Sequence, residues 1–503
     1  MNTIRMLLLV FALALPVASA NAEFFSDVAK TEPTILKSGD DNTLETTLQL
    51  PKSKSVTYAH IAVVGEVEKP RGKTNASITL SIDDKDVAAR TVGNDQGPRN
   101  APFIVTGAVR QALKEGKTSI GVKLSMRGKD QTAYKVRSVT LYCLCDEKYF
   151  RNSSYMRPLF SGDEMTAESV FPLADEDPSK PASAKLLFKP TKVLEAYTLS
   201  SGKKVDLVQD KDYKIDGDTI TFLPGTNVKI VPWKEMYFDT EADAKKSNAK
   251  TFYFDGLKKY AFFAEGDWFH KHMVYISYKH TATHEKVGEN FDEKVLPKTI
   301  AALKAKTPLN VVLYGDSISY GANASGLSLS VPFAPTWGDF VAQELRKYYN
   351  APITFYNRAL GGMTSQWGKD NVESLVCPDK PDLVIIAFGM NDRMKKEEFA
   401  GNISAIIESV RKANPDAEFI LVGSMQANPL WRDFPMHKEY AKALESMETA
   451  KIAYADVGGV HGRLLKSKRF IDMTGNNVNH PNDFLIRAYA QTILQKLIPS
   501  LSK

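Results

Sequence analysis

The sequence predicts an α/β protein whose C-terminal domain is built on a parallel sheet and is preceded by an all-β, sandwich-like region. From Leu309 onward, short apolar runs alternate with helical patterns up to Ile498. That alternation is typical of a parallel sheet covered by helices on both faces. Before residue 150, runs rich in β-branched residues are separated by Gly, Asn and Asp. This second pattern is typical of antiparallel strands joined by turns.

The first 22 residues have the pattern of a secretory signal peptide. Arg5 places a positive charge near the N-terminus. Met6–Val17 is an apolar run too short to span a bilayer comfortably. Ala18-Ser19-Ala20 and Ala20-Asn21-Ala22 both fit a cleavage site of small residues. An uncleaved anchor is the alternative. We predict export, to the periplasm or the outside, of a mature chain without a membrane span.

The charge pattern gives no support to nucleic-acid binding. The formal net charge is +6, and Arg5 is the only charged side chain in residues 1–22, so the mature chain carries +5. Lys residues are scattered, and no basic helix or aromatic-interleaved basic stripe is present. We predict no nucleic-acid partner.

The cysteines predict no disulfide framework. Cys143 and Cys145 lie two apart in an expected strand, where a bridge between them would be strained, and Cys377 is the third. A low-thiol exported protein fits this count.

The histidine pairs His270/His272 and His280/His284 are candidate metal ligands. No cluster of carboxylates or thiolates accompanies them in the sequence, and metal sites need such further ligands. We predict neither a metal nor another cofactor.

Residues 23–150 are predicted to form the sandwich-like module. Its strands are expected at Val56–Val67, Ala76–Ile82, Ser119–Met126 and Val136–Cys143, with one short helix at Ala108–Glu115. The layout resembles the jelly-roll modules that accompany bacterial carbohydrate enzymes.

Residues 151–300 are predicted to form a second, smaller β-rich unit with a linker. Asp175–Ala182 is polar and contains proline, so it is expected to be exposed, and Asp216-Gly217 is expected to be a hairpin turn. Residues 281–307 are charged and tolerate a helix. The expected strands are Ala184–Lys189, Val205–Gln209, Tyr213–Ile215, Thr219–Leu223, Val228–Pro232 and Met273–His280.

Residues 305–503 are predicted to form the catalytic domain. In a parallel α/β sheet, active sites form at the carboxyl ends of the strands. The expected strands are Leu309–Tyr314, Ile353–Tyr356, Leu383–Ala387, Glu418–Val422 and Ala453–Asp456. The expected helices are Trp337–Tyr349, Lys395–Asn414, Met436–Lys451 and Asp483–Ile498.

Four short motifs follow these strands or precede the last helix. Gly315-Asp316-Ser317 offers a hydroxyl that a base could activate, and Gly361-Gly362 permits unusual backbone angles that could aim an N–H at an oxyanion. Asn391 offers an amide donor, and His480 a base whose ordinary pKa suits neutral pH. Each motif alone could be an ordinary turn, cap or solvated loop.

In this order, the four motifs resemble the blocks of the SGNH (GDSL-type) hydrolase family over roughly residues 308–498. The resemblance implies a flavodoxin-like, three-layer domain. It also implies Ser317 as nucleophile and first oxyanion donor, Gly362 and Asn391 as further donors, and His480 as base. Longer stretches resemble a bacterial subgroup with N-terminal β modules: GDSISYGANASG, NRALGGMTSQWG, IIAFGMND and NHPNDF.

One position departs from the family pattern. The last block usually has Asp three residues before His, and here that residue is Asn477. A backbone carbonyl such as that of Asn477 is the expected substitute for orienting His480, with Asp483 second and Asp472 a further alternative. His461 is the runner-up base.

The resulting prediction is an exported serine esterase that removes acyl groups, most simply acetyl groups, from a carbohydrate. Trp337, Trp367 and Trp431 fall in or near the catalytic loops and could stack on sugar rings, with burial in the core as the alternative. A lipase or thioesterase with the same catalytic residues is the second hypothesis. A carbohydrate-binding protein with an inactive hydrolase domain is the third. The sugar, the acyl group and the oligomeric state stay open.

Overall fold

The computed structural model describes most of the chain after residue 22. The predicted signal peptide and His284 lie outside the described residues. The described ranges are 23–29, 34–37, 43–52, 56–68, 75–93, 99–128, 132–145, 159, 162–199, 204–247, 249–281, 291–328, 330–332 and 334–499.

The N-terminal region contains antiparallel strands in two sheets that share one apolar core. The first sheet has the order β1-β9-β4-β7, with β2 also on β9, and the second contains β6-β5-β8-β3. The predicted strands and the predicted helix are all present, with bounds shifted by one to three residues. The elements are β1 (Glu23–Ala29), β2 (Thr34–Lys37), β3 (Leu44–Gln49), β4 (Val56–Glu68), β5 (Asn75–Ile82), β6 (Lys85–Gly93), β7 (Arg99–Ile104), α1 (Thr106–Lys114), β8 (Ser119–Gly128) and β9 (Ala133–Cys145).

The middle region contains three small antiparallel sheets. Gly217 has φ +60° and connects two antiparallel strands, so the predicted hairpin turn is confirmed. Val228–Pro232 is not a strand; Val231 makes only an isolated bridge to Leu173. The strands are β10 (Glu164–Val170), β11 (Ser183–Lys185), β12 (Pro190–Thr198), β13 (Val205–Asp206), β14 (Tyr213–Asp216), β15 (Thr219–Phe222), β16 (Tyr237–Phe238), β17 (Thr251–Phe254), β18 (Lys259–Phe262) and β19 (Val274–His280). The helices are α2 (Trp233–Met236), α3 (Glu241–Lys246) and a 3-10 turn at His270–His272.

The C-terminal region contains five parallel strands, all at the predicted places. They are β20 (Leu309–Gly315), β21 (Ile353–Asn357), β22 (Leu383–Ala387), β23 (Glu418–Val422) and β24 (Ile452–Ala455). Their order in the sheet is β21-β20-β22-β23-β24. The helices are α4 (Pro297–Ala305), α5 (Ser317–Tyr320), α6 (Trp337–Tyr349), α7 (Ser365–Leu375), α8 (Lys396–Ala413), α9 (Pro435–Ser446), α10 (Val457–Leu464) and α11 (Asp483–Leu494), with 3-10 turns at Cys377–Asp379 and Phe470–Asp472.

Helices pack on both faces of this parallel sheet. Successive residues of a strand face opposite sides, and β20 shows this directly. Val311 and Leu313 belong to the apolar cluster that contains side chains of α4, α6, α10 and α11. Val312 and Tyr314 belong to the cluster with α7, α8 and α9. In the described part of the chain, none of the helices combines the length and the apolar character needed to cross a membrane.

The sheets and cores continue across the expected domain bounds. β6 of the N-terminal region pairs in parallel with β21, placing Ala88 opposite Phe355 and Arg90 opposite Asn357. One nine-stranded sheet therefore extends from β24 to β3. The middle region shares its core with the C-terminal region, since one cluster contains both Phe171 and Leu485. The bounds near residues 150 and 300 remain a prediction. The nine-stranded sheet crosses the first and a shared apolar cluster crosses the second, while the N-terminal region also has an apolar cluster of its own.

Candidate active site

The carboxyl ends of three neighbouring strands carry predicted site residues. β20 ends just before Ser317, Gly362 follows β21, and Asn391 follows β22. Gly315 allows the close approach of β20 to β22 at this point, because an added Cβ would lie 2.4 Å from the carbonyl oxygen of Ala387. The strand ends therefore bring three separate loops of the chain to one edge of the sheet.

Ser317 begins α5 and faces the ring of His480. Its Oγ lies 2.9 Å from His480 Nε2. Asp316 caps the helix, because its Oδ1 accepts a hydrogen bond from the Ile318 N–H at 3.0 Å. Burial of the Asp316 carboxyl raises its pKa to about 7. The structure thus brings together the two residues to which the sequence analysis assigns nucleophile and base.

The loop that carries His480 is held by Asn476. The side-chain oxygen of Asn476 accepts hydrogen bonds from the backbone N–H groups of Val478, Asn479 and His480, each at 3.0 Å. The Thr474 hydroxyl donates to the His480 carbonyl at 2.9 Å. Because the backbone on both sides of the ring is fixed, the imidazole has a defined position next to Ser317.

The other ring nitrogen of His480 contacts two side chains. His480 Nδ1 lies 2.7 Å from Asn323 Oδ1 and 3.2 Å from Glu265 Oε2. The amide nitrogen of Asn323 donates to the carbonyl oxygens of Gly475, at 3.0 Å, and Gly266, at 3.4 Å, which leaves its oxygen for the histidine. His480 Nδ1 therefore carries the hydrogen, and Nε2 is left free to accept the Ser317 proton.

These contacts correct the expectation that a backbone carbonyl orients His480. The carbonyl oxygen of Asn477 instead accepts from the Asn428 amide at 2.8 Å, and the Asn477 side chain donates to the Phe262 carbonyl at 3.1 Å. Asn477 has φ +69°, in the left-handed region. The sharp turn at this residue explains why its side chain points toward the middle region.

The two alternative acids are bonded elsewhere. Asp483 is buried, and its Oδ1 accepts from the Ser325 N–H at 2.9 Å. Asp472 accepts from the Phe171 N–H at 2.8 Å and pairs with Arg469 at 2.7 Å. Burial raises the pKa of Asp472, but the charge and hydrogen bond of Arg469, the charge of Lys468 and the Phe171 N–H together hold it below its usual value. Both carboxylates fasten backbone segments and neither contacts the ring of His480.

The expected oxyanion donors lie on the loops after β21 and β22. Gly362 is exposed and has φ +77°, a conformation that favours glycine. Asn391 Nδ2 donates to the carbonyl oxygen of Met363, the next residue after Gly362, at 3.1 Å. That bond holds the Asn391 amide against the Gly362 loop and uses one of its two N–H groups.

Only one of the three tryptophans keeps a place in a substrate-binding hypothesis. Trp337 is fully buried and its indole N–H donates to the Ile318 carbonyl at 3.0 Å, so it is a core residue. Trp367 is half-buried and packs against Tyr314 and Phe388 in the apolar cluster under α7. Trp431 is half-buried in a row of surface aromatic rings.

The remaining candidate histidines have structural partners. His461 is fully buried, which lowers its pKa to about 3, and its Nδ1 accepts from the Gln426 N–H at 3.2 Å. It is therefore a core residue and not an alternative base next to Ser317. His270 Nε2 donates to the Asn323 carbonyl at 2.8 Å, and His272 Nδ1 to the Trp268 carbonyl at 2.8 Å.

A search of the described residues finds no group of three or more His, Cys, Asp or Glu side chains that could hold a metal ion. His280 is buried and stacks on Phe188. Cys143, Cys145 and Cys377 form no disulfide in the described part of the chain.

Sequence reasoning missed two residues of the site, Asn323 and Glu265. Asn323 lies six residues after Ser317, inside the stretch GDSISYGANASG that carries the family resemblance, so a signal for it was present. Glu265 lies 215 residues before His480, in the middle region. No motif around it suggests a role at the site.

The match of residues 313–484 to a family of known hydrolases supports a carboxylic ester hydrolase. That family is described as GDSL-like lipase/acylhydrolase. The chain therefore contains a C-terminal domain of the SGNH (GDSL-type) hydrolase family. No curated protein is similar enough in sequence to be matched to this chain.

Among solved structures, similarity is found to several esterases. A two-domain esterase (CEX) active on acetylated mannans, crystallised with mannopentaose, shares 21% identity over 41% of this chain and 54% of its own, with a TM-score of 0.35. A catalytic mutant of Axe2, an acetylxylan esterase from Geobacillus stearothermophilus, shares 17% identity over 38% of this chain and 94% of its own, with a TM-score of 0.32. A carbohydrate esterase family 3 protein from Talaromyces cellulolyticus shares 18% identity over 38% of this chain and 98% of its own, with a TM-score of 0.31. The match thus spans about half the length of the first of these proteins.

Proposed function

We propose that this chain is an exported serine esterase that removes acyl groups, most simply acetyl groups, from a carbohydrate. The observation that carries the proposal is the 2.9 Å contact between Ser317 Oγ and His480 Nε2. A hydroxyl becomes a competent nucleophile only when a base can take its proton, and this contact provides that base. We further propose that the strand order β21-β20-β22-β23-β24, with helices on both faces, represents a flavodoxin-like three-layer domain.

In the proposed reaction, Ser317 Oγ attacks the ester carbonyl while its proton passes to His480 Nε2. The proton then passes from His480 to the sugar oxygen that leaves, and an acyl-serine remains. Water, deprotonated by the same nitrogen, attacks the acyl-serine and releases the acid. The Nδ1–H tautomer of His480, held by Asn323, suits both half-reactions, because Nε2 must accept a proton first.

The oxyanion is stabilised in this proposal by three donors. The Ser317 N–H belongs to the first turn of α5, where backbone N–H groups have no partner within the helix. Gly362 supplies an exposed N–H from the loop after β21, and Asn391 supplies the second hydrogen of its amide. No step requires a metal, so activity in EDTA should be retained; a loss that zinc reverses would contradict the mechanism.

An aromatic row beside the site supports a carbohydrate substrate. We define the aromatic row as Phe263, Phe252, Trp431 and Phe434, whose successive ring centroids lie 5.0, 5.6 and 5.2 Å apart. Phe252 is 40% exposed. Sugar rings present apolar faces and polar edges, and exposed aromatic rings bind such faces while leaving the hydroxyl groups solvated.

Both ends of the aromatic row are connected to residues next to the site. Phe263 lies two residues before Glu265, which contacts His480. At the other end, the ring of His437 stacks on Phe434, at 5.0 Å, and hydrogen bonds to the backbone of Met390, next to Asn391. We propose that a glycan chain bound along the row lies beside the site.

The test is hydrolysis by the mature chain of p-nitrophenyl acetate, butyrate and octanoate, and of acetylated xylan, mannan and chitin. Ser317→Ala and His480→Ala should each lower activity by about a thousandfold or more without loss of stability. Ser446→Ala, on the exposed end of α9, is the matched control. A folded Ser317→Ala variant that kept more than a few per cent of activity would contradict the proposal.

The substrate panel separates the remaining hypotheses. Preference for acetate and release of acetate from a polysaccharide support the carbohydrate esterase. Preference for octanoate would indicate a lipase or thioesterase, and glycan binding without any hydrolysis would indicate an inactive hydrolase domain. Trp431→Ala should raise KM for the polysaccharide while leaving p-nitrophenyl acetate hydrolysis nearly unchanged.

A further inference from the structure

We infer that Glu265, from the middle β region, supplies the negative charge that supports His480 in place of the aspartate missing from the last sequence block. The inference rests on the proposed function, in which His480 is the base. Glu265 contacts His480 and Asn476, so it acts through His480 as a positioning residue. The catalytic arrangement is then completed by two regions that are far apart in the sequence.

The Glu265 carboxylate is bound through both of its oxygens. Oε2 lies 3.2 Å from His480 Nδ1, and Oε1 accepts from the Asn476 amide at 3.3 Å. Asn476 is also the residue whose side-chain oxygen holds three backbone N–H groups of the His480 loop. A single amide therefore fixes both the histidine backbone and the carboxylate beside the ring.

The residue at the family's aspartate position contributes to this arrangement. Asn477 Nδ2 donates to the carbonyl oxygen of Phe262, the last residue of β18, three residues before Glu265. An aspartate has no hydrogen to donate in its charged form. Asn477 and Glu265 are therefore complementary. The Asn477 amide holds the end of β18, and this end positions Glu265 beside His480.

Asn323 and Glu265 have different effects on the ring. Asn323 is a neutral acceptor at 2.7 Å, so it fixes the tautomer of the neutral imidazole. Glu265 adds a charge that favours the imidazolium formed when Ser317 gives up its proton. Its side chain is 50% exposed, so water screens the charge and we expect a smaller effect than that of a buried triad acid.

The other titratable groups around His480 are Asp316, His270 and Asp483. Asp316 lies on the Ser317 side and interacts electrostatically with the ring. His270 reaches the ring only through Asn323, and its Nδ1 lies 3.9 Å from Asp483 Oδ2. All three are unchanged in variants at position 265, so a difference between such variants reports on Glu265 alone.

The experiment compares Glu265→Gln with the wild type in the pH dependence of kcat/KM for p-nitrophenyl acetate. Loss of the anion should destabilise the imidazolium. The acid limb of the profile, where kcat/KM falls toward low pH, should therefore move down by about one pH unit. It should lower kcat about ten- to a hundredfold with little change in KM. Glu265→Asp keeps the charge and should keep the acid limb near its wild-type position. Glu241→Gln, at an exposed residue that pairs with Lys245 in the same region, is the matched control.

The ring-nitrogen shifts of protein labelled with 15N-histidine, followed as a function of pH, report protonation of the ring directly, and in Glu265→Gln the His480 signals should move together with the acid limb. If Glu265→Gln did not fold, Glu265→Ala would take its place, and the acid limb should move down in Glu265→Ala but not in Glu265→Asp. An acid limb and ring-nitrogen signals that follow the wild-type pH dependence in Glu265→Gln would overturn the inference. The proposed function would still stand if Ser317→Ala and His480→Ala were inactive. An active Ser317→Ala variant would remove the proposed function and this inference together.

Discussion

Arg90 of the N-terminal region and Asp339 of the catalytic region form a buried ion pair, with 3.1 Å between Arg90 Nη2 and Asp339 Oδ2. The same guanidinium donates from Nη1 to the carbonyl oxygen of Tyr320 at 3.0 Å. Tyr320 is the last residue of α5, the helix that Ser317 begins. Arg90 lies in β6, which pairs with the edge strand β21 of the catalytic region. The N-terminal region is thus bonded to the helix that carries the candidate nucleophile.

Arg90→Ala should lower the free energy of unfolding by about 3–5 kcal/mol, because it leaves Asp339 buried without its charged partner. Urea denaturation followed by circular dichroism measures this. Lys117→Ala, which removes an exposed pair with Asp83, is the control and should have a much smaller effect, because water screens exposed pairs. Equal effects of the two substitutions would show that the contact between β6 and α6 contributes little to stability.

Asn391→Ala should lower kcat about a hundredfold or more and change KM much less, because the amide acts mainly on the transition state. Steady-state kinetics with p-nitrophenyl acetate provide the measurement. Asn414→Ala is the matched control, since that amide also donates to a backbone carbonyl, at Pro381, but before β22 begins. An effect confined to KM would make Asn391 a substrate-binding residue instead.

Asp483→Asn should lower kcat about tenfold or less, far below the effect of His480→Ala. Asp483 reaches the site only through the Ser325 N–H and through His270, and asparagine can still accept the hydrogen bond from Ser325. Kinetics of the two variants at one pH decide the matter. A fall in kcat as large as that of His480→Ala would mean that Asp483 acts as the triad acid after all.

Asp316→Asn should become more stable relative to the wild type as the pH rises. The pKa of Asp316 is about 7 in the folded protein because of burial, against 3.8 ordinarily. Folding therefore takes up a proton between these values, and wild-type stability from this group falls as the pH rises, by up to about 1.4 kcal/mol per pH unit. Asparagine keeps the cap on Ile318 and does not titrate.

The free energies of unfolding of the wild type and of Asp316→Asn, measured at pH 5 and at pH 7, test this prediction. A buried carboxyl that does not interact with Asp316, such as Asp483, titrates alike in the two proteins and cancels. A stability difference that did not change between the two pH values would contradict the raised pKa.

The sequence by itself determined the catalytic region and its candidate nucleophile and base. Strands at Leu309–Gly315 and Leu383–Ala387 were predictable because each is a short, continuous apolar run, buried on both faces. Ser317 and His480 were predictable because local motifs place them directly after a strand and before a helix. Such patterns are local, so they are legible in a linear sequence.

Only the tertiary structure decided which groups surround His480 and how the regions join. Glu265 reaches the ring because the Asn477 amide fastens the end of β18 to the histidine loop, a contact between residues 215 apart. The pairing of β6 with β21 likewise depends on two strand edges meeting, with Arg90 opposite Asn357. A strand edge or a side-chain amide can pair with many partners. Packing of the whole chain determines which partner it has, and no local sequence pattern predicts that.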